Sequence, residues 1–127
     1  MKKFLFCMMM SAVSMVAMAE DVMTKSGDTC VVNTTTLCDV KGYRSTTPLK
    51  VYFLKNKIAK IVPLKNMESK KYFVRVEKEF FPNFVGQKVA KAKKLSAPNG
   101  VDGVTGATLS SNAVRSNVAA AIKYYSK

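Results

Sequence analysis

The chain has 127 residues, a length that fits one small domain. It contains no His and 3 Cys, which excludes a Ser-His-Asp or Cys-His catalytic group and any zinc site with a His ligand or four thiolates from one chain. Its 21 Lys and Arg residues against 8 Asp and Glu residues give a net charge of +13, which favours anionic partners.

Residues 1–19 have the organisation of a secretory signal peptide. Lys2 and Lys3 precede a short apolar stretch that ends at Ala19 in a small-x-small pattern. The stretch is shorter than the run of about 20 apolar residues that spans a bilayer. We therefore expect cleavage near Ala19, export to the periplasm or another extracytoplasmic space, and a soluble mature domain over residues 20–127.

The first strand signal follows a polar segment, residues 20–28, which we expect to fray. Residues 30–37 are rich in Val and Thr, as strands are. Cys30 and Cys38 flank this run, and two interpretations stay open. A hairpin turning near Thr34 would bring the two thiols together as a disulfide, whereas an extended segment would place both on one face as small apolar side chains.

A β-hairpin is the clearest pattern in the chain. Residues 49–54 predict a strand, 55–57 its turn, and 58–64 an antiparallel return whose pairing should weaken at Pro63.

Helical spacing follows in two places. Residues 69–81 predict an amphipathic helix that ends before Pro82, with an aromatic and apolar stripe formed by Tyr72, Phe73, Val76, Phe80 and Phe81. Residues 87–95 are compatible with a short helix or an edge strand. A last helix runs from Ser110 to Tyr125, with a stripe of Val114, Val118, Ala121, Ile122 and Tyr125.

Residues 101–111 form a glycine-containing turn that leads directly into the last helix. Free backbone N–H groups and the positive end of the helix dipole make such a place a natural anion site. Gly103 and Gly106 permit close approach and unusual dihedral angles, and hydroxyl donors are supplied by Thr105, Thr108, Ser110 and Ser111. An ordinary helix cap made by Asp102, Thr108 or Ser110 is the alternative, and composition alone favours it.

The order of these residues matches a known sequence motif more closely than their composition alone suggests. Asp102-x-x-Thr105-Gly106-Ala107-Thr108 resembles the D-x-x-[S/T]-G-A-[T/S] motif of FMN-binding domains. That family includes the flavin-carrying subunits of the Na+-translocating NADH:quinone reductase and of Rnf complexes. The resemblance implies FMN attached covalently through its phosphate to Thr108, by an FAD:protein FMN transferase that recognises the motif.

The resemblance covers most of the chain. Gly42-Tyr43 is similar to a Gly-Tyr pair that precedes the family's first core strand, and Glu68 falls where the family has Glu-Thr-Pro-Gly near the flavin, although Ser69-Lys70-Lys71 follows here. The fold it implies is α+β: a small antiparallel sheet packed by an amphipathic middle helix and a C-terminal helix after the flavinylation turn. The expected cofactor-binding residues are Thr108, Asp102, Thr105, Gly106, Ala107, Ser110, Ser111, Glu68 and Tyr43.

The expected function is that of an electron carrier. Without general acid–base residues, the chain fits a carrier better than an enzyme with its own substrate, so we expect no catalytic residues and no metal site. Expected partners are the transferase and unidentified redox proteins, with peripheral membrane association but no nucleic acid. Tyr72 and Phe73 are further candidates to lie near the flavin ring, and a positive field would come from Lys91, Lys93, Lys94 and Arg115.

Two other functions stay open. A basic secreted module without a cofactor would bind anionic surfaces or polymers. A structural domain would use residues 105–111 only as a helix cap.

Overall fold

The computed structural model describes residues 22–126, so the predicted signal peptide lies outside the described residues. The strands are β1 (Met23–Ser26), β2 (Thr29–Asn33), β3 (Leu49–Leu54) and β4 (Lys57–Pro63). The helices are α1 (Lys70–Glu79), α2 (Val89–Leu95) and α3 (Thr108–Tyr125), with a 3-10 turn, Phe81–Asn83, after α1. This arrangement confirms the predicted α+β fold. None of the helices in the described part of the chain is long and apolar enough to cross a membrane.

The sheet is antiparallel, with the strands in the order β1-β2-β3-β4. The predicted hairpin is β3–β4, and its two-residue turn is Lys55-Asn56, with φ angles of 51° and 64°. The two-residue turn that best matches the twist of paired strands requires positive φ at both positions. Pairing does not weaken at Pro63, because the Leu64 N–H donates to the Pro48 carbonyl at 2.9 Å just beyond it.

At the start of the domain, one expectation and one of the two open interpretations are wrong. Residues 23–26 do not fray but form the edge strand β1, which Gly27, at a φ of 62°, turns back into β2. The Val- and Thr-rich strand ends at Asn33 and lies between β1 and β3, so no hairpin at Thr34 brings the cysteines together. Cys30 is buried, Cys38 is half-buried, and both are free.

The core lies between the inner face of the sheet and the helices. Leu49, Val51 and Phe53 alternate inward along β3, as a half-buried strand requires. They pack with the α3 stripe, and Phe53 stacks on Tyr125 with ring centroids 4.1 Å apart. The predicted stripe of α1 is buried except for Tyr72, which is 44% exposed. The helix α3, which has 18 residues, therefore packs against β2 and β3.

A buried polar contact fixes the position of α3 along the sheet. The Thr34 hydroxyl donates to Asn117 Oδ1 at 2.5 Å and accepts from the Leu49 N–H at 2.9 Å. Asn117 is anchored in its own helix by a bond from Nδ2 to the Ala113 carbonyl at 2.8 Å. Since buried polar groups are costly unless paired, this contact favours the register between the helix and the sheet in which it forms.

Residues 87–95, left open by the sequence, form a short helix. An isolated β-bridge joins Lys88 to Lys57, and α2 begins at the next residue. The helical alternative is thus confirmed, and the edge strand is not formed, because the bridge at Lys88 is isolated.

Candidate functional site

A cavity of about 430 Å³ lies where the start of α3, the start of α1 and the loop after β4 meet. Its volume falls within the range of about 300–1,000 Å³ typical of small-molecule sites. The residues that line it are Tyr43, Glu68, Ser69, Tyr72, Gly106, Ala107, Thr108, Leu109 and Ser110.

One wall of the cavity is the motif turn. Gly106 has a φ of 84°, a left-handed conformation that a side chain disfavours, and the Ala107 N–H closes the turn on the Val104 carbonyl at 2.9 Å. Ser111 holds the same turn from inside, because its hydroxyl accepts from the Val104 N–H at 3.0 Å and donates to the Ala107 carbonyl at 2.8 Å. Its hydroxyl is therefore engaged in the turn and does not line the cavity.

The first turn of α3 presents free donors to the cavity. Its N-cap is Ala107, which has no side chain that caps the helix. The backbone N–H groups of Thr108, Leu109 and Ser110 have no acceptor among the described residues. The ordinary helix cap is thus not formed, since Ser110 directs its hydroxyl to Glu68 and Asp102 is exposed. Free N–H groups and the helix dipole make this wall suited to an anion.

Thr108 is the first residue of α3 and is exposed on the cavity wall. Within residues 22–126, its hydroxyl forms no hydrogen bond. A hydroxyl in this position is open to chemistry from outside the domain.

Glu68 ties two separate walls of the cavity together. Its side chain is buried, and Oε1 accepts from the Tyr43 N–H at 2.8 Å and from the Ser110 hydroxyl at 2.5 Å. Oε2 accepts from the N–H groups of Arg44, at 2.6 Å, and Ser45, at 2.8 Å. The loop of residues 43–45 is therefore fixed relative to the start of α3.

These bonds decide the ionisation of Glu68. Burial raises the pKa of its carboxyl, but the hydrogen bond from Ser110 and those from the three backbone N–H groups lower it by more. The net result is a pKa below the ordinary value, so the group is ionised at neutral pH. Each carboxylate oxygen of Glu68 accepts two hydrogen bonds, so the carboxylate is not free to act as a base.

Two aromatic side chains, Tyr43 and Tyr72, are among the residues that line the cavity. Tyr43 is 72% exposed and follows Gly42, where a Cβ atom would lie only 2.5 Å from Glu68 Oε1. Glycine is thus needed for the loop to approach Glu68 and to place Tyr43 at the cavity. Tyr72 of α1 and Leu109 of α3 complete the apolar surface.

Most of the site residues expected from the sequence come together here. Those that line the cavity are Tyr43, Glu68, Gly106, Ala107, Thr108 and Ser110. Asp102 and Thr105 are exposed in the turn and lie outside the lining, and Ser111 faces inward. Of the ring-contact candidates, Tyr72 lines the cavity, whereas Phe73 is buried against Phe81 in the core.

The expected source of positive field does not lie at the cavity. Lys91, Lys93 and Lys94 of α2 are not among its lining residues. Arg115 is buried, donates to the Ala97 carbonyl at 3.0 Å and lies over the ring of Phe80. It supports the loop that precedes the motif.

Three residues at or beside the cavity were not expected from the sequence: Ser69, Leu109 and Arg75. Tyr72 and Arg75 are three residues apart in α1, so their side chains are neighbours on the helix surface, and Ser69 directly precedes the helix. Arg75 lies beside the motif turn, with Nη1 3.5 Å from the position that a Cβ of Gly106 would occupy. The helical spacing was visible, but nothing in the sequence showed which face of α1 meets the turn.

The cavity combines an aromatic surface with a group of anion donors. A ligand that carries a flat ring and a phosphate fits this donor set better than a metal ion or a purely apolar molecule. FMN has both parts, so the residues present are compatible with it.

Comparison with known proteins supports this chemistry. The sequence model of the FMN-binding domain matches residues 42–123, which is more than half of the chain. Neither the comparison with curated proteins nor that with solved structures gave a match. The match begins at Gly42 and continues into the last turn of α3, so it includes every residue that lines the cavity. The chain belongs to the FMN-binding domain family, and it is a flavin-binding protein with FMN as its cofactor.

Proposed function

We propose that this protein is an extracytoplasmic electron carrier that holds FMN covalently through a phosphoester to Thr108. The proposal combines the family membership, the motif that ends at Thr108 and the signal-peptide pattern of residues 1–19.

The observation that carries the proposal is the position of Thr108. It is the last residue of the motif, it is exposed, and it lies beside the free N–H groups of Leu109 and Ser110. A phosphate on its hydroxyl would lie at the positive end of α3, where its charge is stabilised.

Attachment would require an external enzyme. A Thr hydroxyl is a weak nucleophile unless a base activates it, the chain has no His, and the carboxylate of Glu68 is fully engaged. In the proposed step, the Thr108 oxygen forms a bond to the FMN-side phosphorus of FAD. The diphosphate bond breaks, AMP leaves, and a base of the transferase takes the hydroxyl proton. No electron is transferred in this step.

The bound ring supplies the redox chemistry, and the protein supplies its position and electrostatics. The aromatic side chains of Tyr43 and Tyr72 provide surfaces on which a flat ring can pack. Outside the cell a dissociable cofactor would be lost by dilution, so a covalent bond is the arrangement that keeps a carrier active. The partners we propose are the transferase and redox proteins that exchange electrons with the ring.

The test is the intact mass of the protein after coexpression with an active FAD:protein FMN transferase. We expect a gain of one FMN less one water, with the yellow colour of a flavin. Thr108→Ser should keep the modification because its hydroxyl is retained, and Thr108→Ala should lose it. Thr36→Ala, which removes an exposed hydroxyl outside the cavity, should be modified as the wild type is.

An unmodified wild-type mass beside a transferase that modifies another substrate would overturn the covalent proposal. Modification that persists in Thr108→Ala would move the attachment to another hydroxyl. Reversible binding of FMN to the wild type would leave a noncovalent flavoprotein.

A further inference from the structure

Arg75 brings a cation to the motif turn from a different element. It lies on α1, one turn after Tyr72, on the face that meets the start of α3. Its Nη1 atom is 3.5 Å from the position that a Cβ of Gly106 would occupy, so the guanidinium lies on the side of the turn from which a side chain of residue 106 would project. Arg75 does not line the cavity itself, but its positive charge lies beside Gly106, which does.

The guanidinium of Arg75 is only partly engaged. Its Nε donates to Glu79 Oε2 at 3.2 Å, in an ion pair whose two side chains are 42% and 53% exposed. Across residues 22–126, neither Nη1 nor Nη2 of Arg75 has a hydrogen-bond acceptor. Glu79 thus holds one edge of the guanidinium and leaves the Nη edge, which faces Gly106, free.

We propose that Arg75 binds the flavin phosphate at Thr108. This inference rests on the proposed function, and it assigns the cation that pairs with the phosphate. A guanidinium offers two parallel N–H groups that match two oxygens of a phosphate, a geometry that a lysine does not reproduce. Thr108 lies two residues after Gly106, and consecutive Cα atoms are about 3.8 Å apart, so a phosphate on Thr108 is within reach of a partly exposed arginine.

The same contact serves two stages. During loading, the group that approaches Thr108 is the diphosphate of FAD, and Arg75 orients the phosphorus that Thr108 receives. After loading, one phosphodiester charge remains, and Arg75 and the helix N-terminus share it. Arg75 acts by placing the phosphate and takes no proton, so it is a positioning residue.

The experiment compares Arg75→Ala and Arg75→Lys with Lys78→Ala. Lys78 is exposed on the same helix, does not line the cavity and has no atom within 4 Å of a Cβ at Gly106, so its substitution removes the same charge without removing the contact at the turn. The first measurement is the initial rate of FMN loading by a limiting amount of transferase, followed by intact mass. The second is the phosphorus-31 resonance of the loaded protein, which reports on the phosphate itself and not on folding. Thermal unfolding of each unloaded variant checks that it is folded.

We expect the initial loading rate of Arg75→Ala to be lower than that of Lys78→Ala by about tenfold or more, because a charge-assisted hydrogen bond to the phosphate is lost. Arg75→Lys should be intermediate, since it keeps the charge and loses the two-point contact. The phosphorus resonance should move in both Arg75 variants and stay in place in Lys78→Ala.

Equal loading rates together with equal phosphorus resonances in Arg75→Ala and Lys78→Ala would overturn the inference. A wild-type protein that takes no FMN would instead overturn the proposed function, so the two failures are distinguishable.

Discussion

The hydroxyl of Ser110 donates to the carboxylate of Glu68 at 2.5 Å, although the two residues are 42 positions apart. The contact joins the first turn of α3 to the loop that follows β4. Because the same carboxylate also binds three N–H groups of residues 43–45, a single side chain fixes the relative positions of Thr108 and Tyr43. The carboxylate therefore holds two walls of the cavity in a fixed relation to each other.

Glu68→Gln should destabilise the domain and loosen the loop of residues 43–45. The amide nitrogen of Gln cannot accept, so at least one buried donor loses its partner, at a cost of about 1–3 kcal/mol in the free energy of unfolding. Urea denaturation measures this loss, and hydrogen exchange at the Tyr43, Arg44 and Ser45 amides should quicken. Glu77→Gln is the control, because that carboxylate has no hydrogen bond in the part of the chain described. Equal exchange rates in the two variants would contradict the role given to Glu68.

The ionisation of Glu68 should appear in the acid stability of the protein. Its pKa in the folded state lies below the unfolded value of about 4.3, so the unfolded state takes up a proton first as the pH falls. The stabilisation is fully present above that value and is lost as the pH drops through the folded pKa.

The measurement is the difference in unfolding free energy between the wild type and Glu68→Gln across the acid range. We expect a constant difference from about pH 7 to about pH 5, then a decrease below about pH 4.3. Parallel curves down to about pH 3 would mean that Glu68 has an unshifted pKa.

The elements that could be predicted from the sequence are those whose own residues have a recognisable local pattern. The hairpin, α1 and α3 each have a period that matches their geometry, and Gly106 marks a backbone conformation that few other residues adopt. The strand β1 has no such signal, because all of its side chains are exposed and it pairs with β2 as an edge strand. Its existence follows from the neighbouring strand and not from its own residues.

The residues of the candidate site also fall into those that the sequence could predict and those that it could not. The motif residues and Glu68 were identified because their order resembles a family pattern. Arg75 reaches the turn only through the packing of α1 on α3, which depends on contacts that are distant in sequence. The hydroxyl of Ser111 likewise points into the turn because it accepts from the Val104 N–H. The sequence alone could not show that Ser111 is engaged in this way while the hydroxyl of Thr108 is exposed.

Thr34→Val should be costly although it preserves the shape of the side chain. Thr34 is fully buried, and Val would leave the Leu49 N–H without its acceptor and Asn117 Oδ1 without its donor. We expect a loss on the order of 1–3 kcal/mol in the free energy of unfolding, measured in urea. The exposed neighbour Thr36 provides the control, since Thr36→Val should change stability by no more than about 0.5 kcal/mol. A similar loss in both variants would show that the hydrogen bonds of Thr34 to Leu49 and Asn117 do not account for the lost stability.

Gly106→Ala should separate the stability of the turn from its role in flavin loading. Gly106 has a φ of 84°, and Gly27 in the β1–β2 turn has a φ of 62° with no atom within 4 Å of an added Cβ. A left-handed backbone costs an L-residue about 1–2 kcal/mol, so both Gly106→Ala and Gly27→Ala should lower the free energy of unfolding by that amount.

Only Gly106→Ala should slow the loading of FMN, because relief of the strain would shift the N–H groups of Thr108 and Leu109 and the contact with Arg75. The comparison is made by thermal unfolding and by the rate of mass gain with the transferase. If both variants lose stability and load at the same rate, the conformation of the motif turn does not matter for recognition. In that case the exposed Thr108 hydroxyl alone would be sufficient for the transferase.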